Sequence, residues 1–251
     1  MKKPLIKLKI PNEASLITSN SRRNFLKIGG LAVAGTSLFL YGCNNDDDSN
    51  PDPDMVFDLG SGDLGILNYA YALEQLEAAF YTEVLDGSYW MGLAAGEEKT
   101  LLEDVRNHEI IHRDFFKTAI SSVAEASKVL PELEFDFSGI DFSNRTDVLN
   151  TAKTLEDTGV AAYNGAGKLL QSTDYLLLAG KIVSVEARHA SAIADLINPG
   201  STDFARDSIL VDLEGSGVAY DKALTPTQIL TAVSGLNIVK TPFTFGNLPT
   251  S

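Results

Sequence analysis

The chain has 251 residues, 34 Asp/Glu against 20 Lys/Arg, and a single cysteine. Its charge is uneven: residues 1–43 carry a net +6 and residues 44–251 a net −20. So acidic a body excludes nucleic acid as a partner and gains nothing from anionic membrane surfaces, and its length past the front segment fits one domain around one core.

Residues 1–43 read as an address and not as part of the fold. Ser21-Arg22-Arg23-Asn24-Phe25-Leu26-Lys27 resembles a twin-arginine export signal, with Arg22 and Arg23 as its pair. The apolar run over residues 28–40 is too short to span a bilayer as a stable helix. It ends at Leu40-Tyr41-Gly42-Cys43, which resembles a lipoprotein processing box. Cys43 is the only cysteine, has no internal disulfide partner, and is expected to carry lipid as the N-terminus of the mature protein. The expected location is the cell envelope, as a periplasm-facing or surface lipoprotein. Residues 44–62, opening on Asn44-Asn45-Asp46-Asp47-Asp48, predict an acidic disordered tether.

Four long helices follow, at residues 63–85, 97–127, 146–170 and 174–198. Asp63 stands where an N-cap belongs, Gly87 closes the first helix, Pro131 limits the second, and Pro199-Gly200 follows the fourth. The Gln171-Ser172-Thr173 turn makes the third and fourth helices antiparallel neighbours. Residues 131–145 form a long connection whose Phe135, Phe137 and Phe142 predict an extended strap with its aromatics on the bundle. Fully extended, it spans about 50 Å, against about 37 Å for a helix of about 25 residues, so it can cross the bundle end to end. The expectation is an all-α fold: a four-helix bundle over residues 63–198 with a crossover between helices two and three. A C-terminal extension, 199–251, carries a short helix near residues 227–234.

Two of the three histidines sit three residues after a glutamate, in Glu109-Ile110-Ile111-His112 and Glu186-Ala187-Arg188-His189. With 14 glutamates in the chain, chance places Glu there for two of three His about once in a hundred. A second repeat lowers those odds: Leu73-Glu74 precedes Tyr81, and Leu155-Glu156 precedes Tyr163, seven residues from Glu to Tyr each time. Residues three apart share a helix face one turn apart, so each Glu and His pair can reach one site.

The stripes around these motifs are core stripes: Leu101, Val105, Glu109, His112, Phe116 on the second helix, and Ala179, Ile182, Glu186, His189, Ile193, Leu196 on the fourth. Glu and His thus hold positions that should be apolar. Four carboxylates facing one core are untenable alone, since a buried unpaired ion costs several kcal/mol. Two divalent cations would neutralise them, and two glutamates plus two Glu-x-x-His pairs is a known ligand pattern of di-iron and di-manganese bundles. The candidate ligands are Glu74, Glu109, His112, Glu156, Glu186 and His189. Glu77 shares the stripe of Glu74, but its repeat partner is Gly159, so Glu74 is taken as the ligand and Glu77 as a nearby carboxylate. Tyr81 and Tyr163 could hydrogen-bond ligand carboxylates, act as redox-active groups, or be core aromatics. His108, one residue off the stripe, reads as a surface or supporting histidine.

This arrangement resembles the ferritin-like superfamily, and within it the ferritin-like domain family that includes desiccation-related proteins. The narrower likeness rests on Leu73-Glu74-Gln75-Leu76-Glu77-Ala78-Ala79-Phe80-Tyr81 and on Ala223-Leu224-Thr225-Pro226-Thr227-Gln228-Ile229-Leu230-Thr231-Ala232-Val233. It implies a centre of two iron ions, or of two manganese ions, with dioxygen or peroxide as reactants. The activity expected is oxidation of ferrous iron or reduction of oxygen or peroxide. Manganese catalase-like activity and a non-catalytic stress-related envelope protein with a structural metal site are the alternatives. The lipid anchor ties the protein to a membrane, and a homodimer is the assembly left open.

Overall fold

A computed structural model describes residues 56–205, 210–212 and 219–250. The two export motifs, Arg22-Arg23 and Cys43, and most of the tether lie outside the described residues. In chain order the elements are β1 (Phe57–Asp58), α1 (Gly62–Asp86), α2 (Ser88–Gly92), α3 (Glu97–Val123), α4 (Arg145–Gly167), α5 (Thr173–Ile197), β2 (Leu210–Asp212), β3 (Ala219–Asp221), α6 (Pro226–Gly235) and β4 (Phe243–Thr244). The four long helices form the expected bundle: α1 packs on α3, α4 packs on α5, and the two pairs meet through α1 with α4 and α3 with α5. Among the described residues no helix is long and apolar enough to cross a membrane.

Burial is unequal between the helices, and that sets the core. Every residue of α1 from Gly65 to Ala78 is buried, because α1 is covered by more than its helical neighbours. Asn68 and Gln75, polar and buried on α1, hold the chain that leaves α3. Asn68 Nδ2 donates to Lys128 O at 2.9 Å and Leu130 N donates to Asn68 Oδ1 at 3.0 Å. Gln75 Oε1 accepts from Leu133 N at 2.8 Å. Each amide is satisfied, as a buried polar group must be. The strap continues across α1, with Phe137 and Phe142 ring centres 6.1 and 5.9 Å from that of Phe80.

The C-terminal extension is woven into the domain. β4 pairs in parallel with β1, Phe135 bridges Val239, and Leu224 N donates to Ala161 O at 3.0 Å. That last contact needs glycine below it, since a Cβ on Gly165 would fall 1.7 Å from Leu224 O. Thr225 then starts α6 with a capping box against Gln228 and Pro226 in the first turn, an arrangement whose cap is typically worth about 1 kcal/mol.

Several boundaries differ from expectation. The second long helix stops at Val123 and not at residue 127, where Ala126–Lys128 tightens into a 3-10 turn; Asn68 draws the chain away from the helix axis there. Asp63 is not an N-cap: Ser61 precedes α1, and the Asp63 carboxylate accepts from Gln171 N at 2.7 Å and Ser172 N at 2.8 Å. It fastens the α4–α5 turn to the start of α1. From Val56 onward the expected tether is packed chain, because β1 has found β4.

Candidate metal centre

The interior positions of the four long helices bring six side chains to one place. Glu74, Glu109, Glu156 and Glu186 are fully buried and His189 is 5% exposed, while the His112 side chain is 12% exposed. Their donor atoms fall into two sets. His112 Nδ1 lies 3.5 Å from Glu74 Oε2, 3.5 Å from Glu109 Oε2 and 3.0 Å from Glu186 Oε1. His189 Nδ1 lies 2.8 Å from Glu109 Oε1, 3.4 Å from Glu156 Oε2 and 3.7 Å from Glu186 Oε2. Glu109 and Glu186 each give one oxygen to either set, so both span the centre.

These separations are short, yet none of the eight atoms makes a hydrogen bond. The atoms of each set are gathered close together without pairing off among themselves. A buried polar atom left so costs about 1–3 kcal/mol, and eight together make an unstable core without a compensating ligand. Donors about 2.0–2.2 Å from one ion lie about 2.8–3.7 Å from one another; the histidine-to-carboxylate distances fall in that range, and all donors of a set lie within 4.8 Å of one another. The groups Glu74, Glu109, His112, Glu186 and Glu109, Glu156, Glu186, His189 could each hold a metal ion. Mixed carboxylate and imidazole donors suit iron or manganese better than magnesium or calcium.

The remaining oxygens of the outer two glutamates are occupied. Tyr81 Oη on α1 donates to Glu156 Oε1 on α4 at 2.5 Å, and Tyr163 Oη on α4 donates to Glu74 Oε1 on α1. Each tyrosine serves the glutamate of the opposite repeat, leaving that glutamate's Oε2 for the centre.

Electrostatics follow from the crowding. Burial pushes Glu74 well up, with Glu186 and Glu109 adding to the effect and His112 opposing it. Burial likewise raises Glu156 to about 8. For Glu109 burial is outweighed by His112 and His189, and its carboxyl falls to about 2. Burial alone would lower both imidazoles, but the carboxylates around them raise His112 and His189 to about 12. Without metal, protons on the imidazoles supply the positive charge the carboxylates require.

Glu77 joins neither set. It is 3% exposed, and a Cβ on Gly159 would stand 3.1 Å from its Oε1 and 3.7 Å from Glu186 Oε2. The missing side chain at Gly159 is therefore the room in which Glu77 sits, beside the centre. Burial, then the charges of Glu186, Glu109, Glu156 and Glu74, push its carboxyl well up. His108, exposed on α3, meets the buried His189 across the bundle, Nδ1 to Nε2 at 2.9 Å. The sequence places His108 one residue off the stripe, as a surface or supporting histidine, and gives no sign that the ring it meets lies on another helix.

A comparison with curated proteins found no match. The family model described as the ferritin-like domain matches residues 62–199, which takes in all four long helices and all six clustered side chains. With a helical bundle, a buried carboxylate and histidine cluster at its centre and that match over more than half its length, the chain belongs to the ferritin-like domain family.

Proposed function

We propose that this chain is an exported ferritin-like protein that holds a dinuclear iron or manganese centre and oxidises ferrous iron or reduces dioxygen or peroxide. The observation that carries this reading is the pair of four-donor sets, eight buried atoms without hydrogen-bond partners. In this reading Glu109 and Glu186 would each offer an oxygen to both ions, Glu74 and Glu156 would each serve one, and His112 and His189 would each give one nitrogen to one ion. Bound there, iron or manganese supplies redox chemistry that carboxylates and imidazoles lack.

The chain's own residues would do the rest. Tyr81 and Tyr163 hold the outer carboxylates so that Oε2 of each faces inward. The apolar packing around the cluster excludes bulk water. A cavity of about 30 Å³, lined by Leu73, Phe116, Ala162 and Tyr163, lies beside the centre. Its size favours a small oxidant over a bulky organic substrate, and its lining is apolar, as suits dioxygen. Export through Arg22-Arg23 and lipid on Cys43 complete the reading, and support comes from the order twin arginine, apolar run, cysteine, acidic tether. A lipid on that cysteine and an extension folded against α4 both argue against a closed iron-storage shell.

Metal analysis of natively exported protein, followed by oxygen- and peroxide-consumption assays on the ferrous and manganous forms, tests the proposal. Two ions per chain with multiple turnovers are expected. Two bound ions with no consumption of either oxidant by a folded chain would leave a structural metal site.

A further inference from the structure

The two halves of the cluster are not equivalent. His189 is 5% exposed and its outer nitrogen, Nε2, meets His108 Nδ1 at 2.9 Å. Among the described residues His112 has no such partner on its outer nitrogen. The repeat explains the difference: His108 stands four residues before His112, whereas Val185 stands four before His189. The asymmetry therefore rests on one residue of α3 that reaches over to α5.

The geometry of that contact is specific. The two ring centres are 5.2 Å apart and the planes differ by 10°. An imidazole nitrogen lies about 1.1–1.2 Å from its ring centre, so a 2.9 Å N–N separation gives a 5.2 Å centre separation only when both nitrogens lie on the line between centres. The rings meet head to head, not face to face. A proton on either nitrogen then points straight at the other, the best alignment a hydrogen bond can have. With a metal held on the Nδ1 side of His189, the one remaining ring proton would sit on Nε2, and His108 Nδ1 would accept it.

We propose that His108 is a positioning residue for His189: it fixes the tautomer and ring plane that turn Nδ1 toward the centre, and it makes one metal position tighter than the other. Ligating histidines commonly hold their outer N–H against a fixed acceptor, and loss of such a partner costs about 10–100-fold in metal affinity. In this chain the acceptor is an exposed imidazole, so a line of two rings joins the buried centre to the surface. The inference rests on the dinuclear reading, and the test separates the two.

Manganese(II) titration of the metal-free full chain, read by the loss of free-ion EPR signal, should resolve two binding steps. His108→Ala should weaken one step about 10–100-fold and leave the other within about twofold. His108→Asn, which returns an acceptor near the Nδ1 position, should recover most of that loss. A second readout is independent of affinity: nitrogen NMR of the zinc-loaded chain should show a slowly exchanging proton on His189 Nε2 in the parent and in His108→Asn, and a fast one in His108→Ala. Two steps unchanged or equally weakened in His108→Ala, an Asn variant no better than Ala, or a fast-exchanging parent proton would each overturn the role of His108 alone. A folded parent that takes up no manganese, zinc or iron would overturn the dinuclear reading and this inference together.

Discussion

Tyr81 Oη donates to Glu156 Oε1 at 2.5 Å, and the two residues belong to different halves of the repeat. Tyr163 returns the same bond to Glu74. The crossed pair ties α1 to α4 at the level of the cluster and assigns one oxygen of each outer glutamate to a tyrosine. Tyr81→Phe should leave Glu156 Oε1 a buried acceptor without a partner, at a cost of about 1–3 kcal/mol to the metal-free chain. Metal affinity should fall about 10–100-fold, mostly at one position, because the carboxylate is freed to rotate. Urea denaturation and metal titration measure the two effects. A Phe variant with unchanged affinity would mean that the tyrosine only packs.

Glu109 and Glu186 each face both donor sets, whereas Glu74 and Glu156 face one. Glu109→Ala or Glu186→Ala should therefore reduce binding from two ions to none or nearly none. Glu74→Gln should lose one position and keep the other. Glu77→Gln should retain two ions, since Glu77 fills the space over Gly159 outside both sets. Elemental analysis of each purified variant decides the matter, with helix content checked alongside. Retention of metal in Glu74→Gln with loss in Glu77→Gln would reverse the assignment on α1.

The pH dependence of the metal-free chain should run opposite to that of metal binding. His112 and His189 are raised from 6.5 to about 12, so their stabilising effect is full below 6.5 and fades as pH climbs toward 12. Glu156 is raised from 4.5 to about 8, so the folded state holds the extra proton between those values and stability falls as pH rises through them. Glu109, lowered from 4.5 to about 2, acts only in acid, where stability drops as pH falls through that lower window. The melting temperature of the metal-free chain should thus decline from about pH 6 to about pH 9, an interval that crosses the raised value of Glu156 and enters the window between the ordinary and raised values of the histidines. Metal must displace the same protons, so affinity should rise over that interval. Calorimetry at several pH values reads both; parallel slopes would contradict the proton-for-metal exchange.

Cys43→Ser should move the protein from the membrane fraction to the soluble envelope fraction, and replacing Arg22 and Arg23 with Lys should hold it in the cytoplasm. Fractionation and mass spectrometry of the mature N-terminus test both steps. A parent with no acyl chain on Cys43, whose Ser variant fractionates unchanged, has no lipid anchor there.

Helical period alone determined the bundle: the stripes of α3 and α5, the seven-residue Glu-to-Tyr spacing and the length of the crossover are local quantities, and local quantities survive in a sequence. The same period put Glu74 and not Glu77 in register with Glu156, and the folded chain gathers Glu74 with the other five while Glu77 lies over Gly159. Only the tertiary structure decided what meets across helices. Strands of two or three residues, such as β1 and β4, have no period to read, and they pair because the extension returns to the start of the domain. α3 ends at Val123 because Asn68, on another helix, takes hold of the chain beyond it. Tyr81 finds the far glutamate, and His108 finds His189, because a side chain's partner is fixed by the distance between packed helices and not by spacing along either one.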